Sequence, residues 1–375
     1  MKKVILIVLN NFINDSRVLK EAVTLQENGF NVRVIALHEG DLKEFDTIEG
    51  VAVHRIKLKT RFLPKLYFIQ IIKYMEFFLE IVKKYRKVNI IHANDLGPLP
   101  IAVFIKKVFN KKMKVIYDAH EYERERNGLK GLRKKVVGIL EKTFIKNADS
   151  VITVSGSIAE EYAKLYNIPT PYIVLNCPNY KEQEEHNIFR SKFDIPKETT
   201  IFLYQGGLTK GRKIEEYLNV FSAIDNAALV LMGYGPLEEL VIRYANKYKN
   251  IHFQEAVSPT TLLKYTSSAD IGLCYIESTC LSYYYCLPNK FFEYIMAGLP
   301  TLTNNIPELR EKVESYEVGW VCENDLDEDA LKKLVVDSII NNINIQKYAE
   351  NTKSMSKKYC WEEQEKVLLD AYYER

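Results

Sequence analysis

The sequence predicts an α/β protein of two doubly wound parallel-sheet domains facing a cleft. Three observations carry this. The chain has 375 residues, too many for one average domain and natural for two. Short β-branched runs alternate with amphipathic segments along its length, which is the pattern of βαβ units. A polar, proline-punctuated stretch, NCPNYKEQEEHNIFRSKFDIPKETT, breaks the rhythm near the middle. The expected division is a first domain over 1–180, a linker over about 180–196 and a second domain over 197–359. The last segment, 360–375, reads as a strong amphipathic helix that could dock on either half.

In chain order, the first half predicts strands over 3–9, 32–37, 51–57, 89–93, 114–118 and 150–154. Helices fall between them over 15–27, 65–85, 99–109, 129–147 and 155–166. The second half predicts strands over 200–204, 228–232, 250–253, 271–275, 300–303 and 318–321. The opening MKKVILIVLNN has a basic start and a short apolar run, but no small-residue cleavage site follows, so it reads as the first strand. No apolar run approaches the roughly 18 residues of a spanning helix. Five of the six cysteines lie in the second half and Cys177 at the end of the first, without a CxxC pair or a histidine cluster, and they read as reduced thiols rather than metal ligands.

The small net charge hides an asymmetry. Residues 1–179 hold 30 Lys and Arg against 19 Asp and Glu, leaving 22 against 30 for the rest. A basic half beside an acidic half suggests that the first half faces something anionic. The basic and aromatic stretch KTRFLPKLYFIQIIKYMEFFLEIVKKYRK suits a membrane interface or a helix packed on its sheet with its bases in solvent, and so does RERNGLKGLRKKVVGILEK. Nucleic acid is the poorer partner, since no base-reading pattern appears.

In doubly wound sheets the ligand end is the carboxyl edge of the strands, so the loops after strands carry the information. After 200–204 comes QGGLTKGRKIEEYL. Gly206 and Gly207, followed by Lys210 and Arg212, suit either an anion at a helix start or a plain glycine turn. After 228–232 come Gly233, Tyr234, Gly235 and Pro236, again a ligand approach or a turn. In CLPNKFFEYIMAGLPTLTNN a helix opens on Asn289 and Lys290, where unpaired N–H groups could hold a phosphate. Glu293, one turn on, reads either as a capping carboxylate or as a holder of ribose hydroxyls. In the first half Asp118, His120 and Glu121 end a strand, and His120 is either a substrate contact or a structural histidine. The loop NNFINDSRVLKEA offers Asn11, with Asp15 as an N-cap. Arg17 follows in the first helical turn, where a cation works against the dipole.

These segments, taken in order, resemble the retaining glycosyltransferases of family 4, which have the GT-B fold of two Rossmann-like domains. The resemblance rests on NDSRVLKEAVTLQENGFNVRVIAL, YDAHEY, YQGGLTKGRKIEEYL, LVLMGYGPLEEL, LPNKFFEYIMAGLPTLTN and WEEQEKVLLDAYYER. It implies that the second domain binds a nucleotide-sugar donor, that the first faces the acceptor and that the last helix crosses back to the first domain. Glu293 matches the second glutamate of the family pair, which holds the ribose; Tyr285 stands where the first should be, and Pro288 replaces a glycine. Of the family's paired Arg and Lys in the phosphate loop, only Arg212 keeps a basic residue, the other position being Gly207; Lys210 is the candidate substitute. His120 matches the histidine that approaches the donor sugar.

The expected activity is therefore that of a retaining, metal-independent hexosyltransferase, with catalytic residues His120, Arg212 and Lys210. Donor contacts are expected from Glu293, Asn289, Lys290, Gly206, Gly207, Gly233, Gly235, Tyr285, Leu287 and Pro288. Asn11, Asp15, Arg17, Asp118 and Glu121 are expected on the acceptor side. No cofactor or metal is expected, since the nucleotide-sugar is a substrate, a UDP-sugar ahead of a GDP-sugar, and Arg212, Lys210 and the helix start at Asn289 and Lys290 would stabilise the leaving diphosphate in a metal's place. The expected acceptor is a glycan or a polyprenyl-diphosphate-linked glycan in bacterial cell-surface polysaccharide synthesis. The expected location is cytoplasmic, peripheral on an anionic inner membrane face. The alternative is a non-catalytic nucleotide-sugar-binding subunit of a partner transferase, motivated by Tyr285.

Overall fold

The computed structural model describes residues 1–64, 66–325, 327–340 and 342–373. The chain forms two compact units, Met1–Val174 with Glu365–Arg375, and Leu175–Gln364.

The first unit is built on eight strands: β1 (Lys3–Ile7), β2 (Asn31–Leu37), β3 (Phe45–Ile48), β4 (Val51–Ile56), β5 (Ile90–Asn94), β6 (Lys114–Ala119), β7 (Ser150–Thr153) and β8 (Tyr172–Ile173). Their order is β3-β4-β2-β1-β5-β6-β7-β8. Among the described residues, only the β3–β4 hairpin of this sheet is antiparallel. β1 is the switch strand: Val4 sits beside Val32 of β2 on one side and Ile90 of β5 on the other. All five residues of β5 are buried, as expected of a parallel strand covered on both faces. Helix Ser16–Glu27 packs Val18, Ala22 and Leu25 inward at helical spacing.

The second unit holds β9 (Thr200–Gln205), β10 (Ala227–Met232), β11 (Ile251–Gln254), β12 (Ile271–Cys274), β13 (Thr301–Asn304) and β14 (Gly319–Cys322). Their order, β11-β10-β9-β12-β13-β14, reverses between β9 and β12. Alternate residues of β9 feed opposite cores. Ile201 and Leu203 join Tyr294 and Ile295 on one face. Phe202 and Tyr204 join Tyr217 and Phe221 on the other.

Several boundaries differ from expectation. β3 and β8 have four and two residues, too short for a period to show. The helix expected over 65–85 is Tyr67–Tyr85, and Lys65 lies outside the described residues. The helix expected over 129–147 is Gly131–Ile145. The segment 180–196, expected as a linker, lies within the second unit and contains a short helix, Ile188–Phe193. Phe189 there is fully buried, and Gln183 Nε2 donates to Ile295 O at 2.9 Å. The six cysteines are free thiols.

The terminal helix is Trp361–Tyr373; residues 374 and 375 lie outside the described residues. Its end is fastened into the first unit. The Tyr372 hydroxyl lies 2.7 Å from His92 Nδ1, and Ser150 Oγ donates to Ala371 O at 2.7 Å.

Three helices of the first unit, Tyr67–Tyr85, Leu99–Val108 and Gly131–Ile145, expose apolar side chains. The first buries Ile69, Phe77 and Ile81, yet leaves Phe68, Ile71 and Leu79 at least half exposed. The third exposes Leu132 and Ile139. Phe78 and Phe104 join the first two helices, with ring centroids 5.0 Å apart. Arg133 lies 5.8 Å from the Tyr67 ring and links the first to the third. Thus one apolar face packs inward while a second stays open.

Candidate active site

In the second unit, β9 ends at Gln205 and turns through Gly206, whose N–H donates to Met232 O at 2.9 Å. A Cβ on Gly233 would lie 1.9 Å from Gly206 O, and one on Gly235 would lie 2.5 Å from Leu208 O. These glycines therefore serve the contact between two loops, a demand met inside the protein. Pro236 does not open the following helix, which begins at Glu238.

Helix Asn289–Met296 starts after Pro288 with no side-chain cap. Asn289 is exposed at its first position, and Leu287 is buried just before it. Lys290 folds back so that Nζ sits 3.8 Å from the Tyr204 ring centroid, a cation–π contact. That ammonium is buried and has no hydrogen-bond partner among the described residues. Burial lowers the Lys290 pKa to about 8, and the Arg212 charge pushes the same way. The Nζ lies 3.5 Å from where a Gly206 Cβ would stand. The Arg212 guanidinium lies 4.8 Å from the Tyr283 ring centroid, and Nη1 donates to Gly211 O at 3.2 Å. Lys210 is exposed, and Lys213 pairs with Glu216 at 2.8 Å. Gly207 is exposed in the turn. Tyr285 closes the short helix Leu281–Tyr284, its ring 5.3 Å from that of Tyr284.

Glu293 faces the same strand end. Its Oε2 accepts from Gln205 Nε2 at 2.6 Å, while Thr266 Oγ1 donates to Gln205 Oε1 at 2.8 Å. Both Gln205 and Thr266 are buried. Sequence reasoning missed these two; the only available signal was that Gln205 ends a strand. Gln205→Leu is expected to leave the fold intact and weaken nucleotide binding about tenfold, because a charge-assisted bond worth about 1.5–3 kcal/mol orients the carboxylate. If Glu293 holds the ribose, the preference for UDP over 2′-deoxy-UDP shrinks in the variant; an unchanged preference would show that Gln205 does not orient a ribose contact.

In the first unit, Arg17 and Asp118 form a buried pair. Arg17 Nε and Nη2 donate to the two Asp118 oxygens at 3.0 and 2.9 Å, and Nη1 donates to Val174 O at 2.7 Å. His120 Nε2 lies 3.1 Å from Asp118 Oδ2, and Nδ1 lies 3.7 Å from Asp95 Oδ1. Burial works against charge on His120, but Asp118 and then Asp95 hold it protonated, with a pKa of about 9. Burial alone would raise the Asp118 pKa; Arg17 and then His120 hold it well below the usual carboxylate range. Burial and then the Asp118 charge push Glu21 well above that range.

Arg17 and Asp118 were expected as acceptor contacts. They are about 5% and 0% exposed and satisfy each other, so burial withholds them from a substrate, and only His120 reaches outward. Here the out-of-place cation has its other job: it anchors Asp118. Asp15 caps its helix by accepting from Val18 N, and Asn11 donates to Glu39 at 2.8 Å. Glu121 pairs with Arg126 at 3.2 Å. Glu21, His92 and Asp118 offer ligand atoms within 4.8 Å of one another. The Arg17 guanidinium already occupies both Asp118 oxygens and lies 3.0 Å from Glu21, so a divalent ion would meet a fixed cation there.

Residues 16–178 match the model of Glycosyltransferase Family 4, and residues 185–355 that of Glycosyl transferases group 1. An uncharacterized glycosyltransferase of Methanocaldococcus jannaschii is 27% identical over 371 residues, which cover 93% of this chain and 90% of the relative. The chitobiosyldiphosphodolichol beta-mannosyltransferase of Debaryomyces hansenii is 23% identical, with 87% and 77% covered. Among solved structures, sucrose-phosphate synthase of Thermosynechococcus elongatus matches with a TM-score of 0.80 at 18% identity, covering 99% of this chain and 98% of that one. Anabaena HepE in complex with UDP-glucose matches with a TM-score of 0.75 at 11% identity, with the same coverage.

Proposed function

Since the chain belongs to the family 4 glycosyltransferases of GT-B fold, we propose that its donor is a nucleoside-diphosphate sugar, a UDP-sugar ahead of a GDP-sugar. Transfer of a hexosyl group proceeds with retention and without a metal. The acceptor is a glycan or a polyprenyl-diphosphate-linked glycan, in bacterial cell-surface polysaccharide synthesis.

One observation carries the donor reading: a buried ammonium at Lys290 that lacks a hydrogen-bond partner among the described residues, near the guanidinium of Arg212. A diphosphate supplies the missing anion. As the bond to the sugar breaks, negative charge grows on the leaving diphosphate, and fixed cations stabilise it most in that state. Arg212, Lys290 and the helix start at Asn289 take that role, with Lys210 at the rim. Glu293, oriented by Gln205, takes the ribose hydroxyls. His120, held as an imidazolium, takes the donor sugar. The acceptor hydroxyl attacks from the leaving-group face. A non-catalytic donor-binding subunit is the weaker reading, because Arg212, Lys290 and His120 all remain as cations.

The test is thermal stabilisation by UDP, GDP, ADP and CMP and their sugars. A ligand at a hundred times its dissociation constant stabilises by about 2.7 kcal/mol. A shift with uridine nucleotides that Glu293→Ala loses is expected. No shift with any nucleotide removes the donor reading, and activity abolished by EDTA removes metal independence.

Peripheral attachment to the inner membrane face belongs to the same proposal. Among the described residues no helix is long and apolar enough to cross a membrane. The support is the open apolar face of the helices Tyr67–Tyr85, Leu99–Val108 and Gly131–Ile145, together with the basic excess of this half. In vesicle flotation, recovery with anionic lipid is expected to exceed that with neutral lipid several-fold and to fall in Phe68→Glu/Leu79→Glu. Equal recovery with both lipids removes the electrostatic part.

A further inference from the structure

A pocket of about 330 Å³ opens in the first unit, lined by Leu96, Glu123, Arg126, Leu129, Arg133 and Val137 among others. Its inner wall adjoins the His120 cluster. Leu96 follows Asp95, whose carboxylate faces His120, and the Leu96 N–H points to Glu123 Oε1 at 3.5 Å. Arg126 bridges Glu121 and Glu123, each at 3.2 Å. Among the described residues Arg133 has no acid partner, and its guanidinium lies 5.8 Å from the Tyr67 ring centroid. Beyond Arg133 the surface turns apolar, with Tyr67 69%, Phe68 61% and Leu132 77% exposed.

This arrangement is polar inside, cationic at the lip and apolar outside. A free sugar needs no apolar apron, and a plain hydrocarbon needs no arginines. We infer that the pocket takes the phosphate-bearing head of an amphiphilic acceptor, whose hydrocarbon tail lies along the exposed helices. This rests on the glycosyltransferase reading and names the acceptor's place within it. Arginine suits the head because its planar fork matches phosphate oxygens and sheds water readily. The tail gains about 25 cal/mol for each Å² of apolar surface that it covers. Glu123 does not oppose an anion at neutral pH: burial and then the Asp95 charge raise its pKa to about 8, so most of it is the neutral acid. Protonated, it donates to a phosphate oxygen.

The experiment titrates the full-length protein with farnesyl diphosphate, inorganic pyrophosphate or farnesol, each in the presence of saturating UDP so that the donor site is filled. Farnesyl diphosphate is expected to bind at least tenfold more tightly than either fragment. Arg133→Glu is expected to weaken it at least tenfold, and Ile71→Glu several-fold, while both variants keep the UDP-induced thermal shift. Pyrophosphate binding as tightly as farnesyl diphosphate would mean an anion site without a lipid, and overturns the inference. So does farnesol binding as tightly, or an Arg133→Glu variant that binds normally. Farnesyl diphosphate binding that depends on Arg133 in a protein that UDP fails to stabilise would leave the pocket standing and the donor reading fallen.

Discussion

Lys290→Met is expected to abolish nucleotide-induced stabilisation while raising the stability of the free protein. The two effects have opposite signs for one reason. In the free protein the ammonium is buried beside Tyr204 without a hydrogen-bond partner among the described residues, so it carries a desolvation cost that the cation–π contact offsets only in part. Methionine keeps the chain's apolar length and removes the charge. With a diphosphate present, the same ammonium becomes a charge-assisted donor worth about 1.5–3 kcal/mol, or roughly 10- to 150-fold in affinity. Its loss from a developing leaving group costs about 10²–10³ in kcat. The pH dependence gives an independent check. Folding depresses the Lys290 pKa from 10.5 to about 8. Between those values the unfolded chain binds more protons, so stability of the free protein rises with pH from about 8 to about 10.5, and below 8 the full cost is present. Nucleotide affinity falls over the same window as the free lysine loses its proton. Urea unfolding and UDP titration across pH 7–10 measure both trends. A Lys290→Met protein that still binds UDP with wild-type affinity would move the diphosphate away from this corner.

Asp118→Ala is expected to cost about 3–5 kcal/mol of stability, because it leaves the Arg17 guanidinium buried without its counter-charge. The double replacement Arg17→Met/Asp118→Leu is expected to be milder than the single one, since it removes both charges together. Denaturant midpoints distinguish these outcomes; a double variant worse than the single would show that the pair itself stabilises. Asp118→Ala also releases His120. The folded pKa of His120 is raised from 6.5 to about 9, so its contribution is fully present below about 6.5 and is lost as pH rises through about 9. Glu21, whose pKa is also raised in the fold, adds to the same decline with rising pH. In the variant the fall in stability between pH 6.5 and 9 is expected to flatten. A wild-type slope in the variant would mean that Asp118 does not hold the His120 proton.

The two sheets were legible because their central strands are nearly continuous Val, Ile and Leu runs separated by amphipathic segments. Phe45–Ile48 was not, because a four-residue edge strand with half its residues exposed has no pattern to see. The segment around Phe189 was misread for a related reason: one buried aromatic amid polar residues looks like a linker until its partners are known. At the candidate site, local cues carried far. The helix start at Asn289 stood out for its unpaired N–H groups, and the cation at Arg17 for working against its helix dipole. What each side chain reaches was not local. Arg17 meets Asp118 101 residues away, and Gln205 meets Glu293 88 residues away. Such pairings are set by sheet topology, which brings distant strand ends together without leaving a mark in either segment.

The fastening of Tyr372 to His92 bears on how the protein is made. A ribosome finishes Val174 long before it reaches Glu365, and at about 5–20 residues per second the interval is roughly 10–40 s. During that time the nascent first unit has its sheet residues but lacks the hydroxyl that reaches His92 and the carbonyl that receives Ser150. His92 and Ser150 stay hydrated, and the amino-terminal half waits, incompletely closed, for the helix Trp361–Tyr373 to emerge.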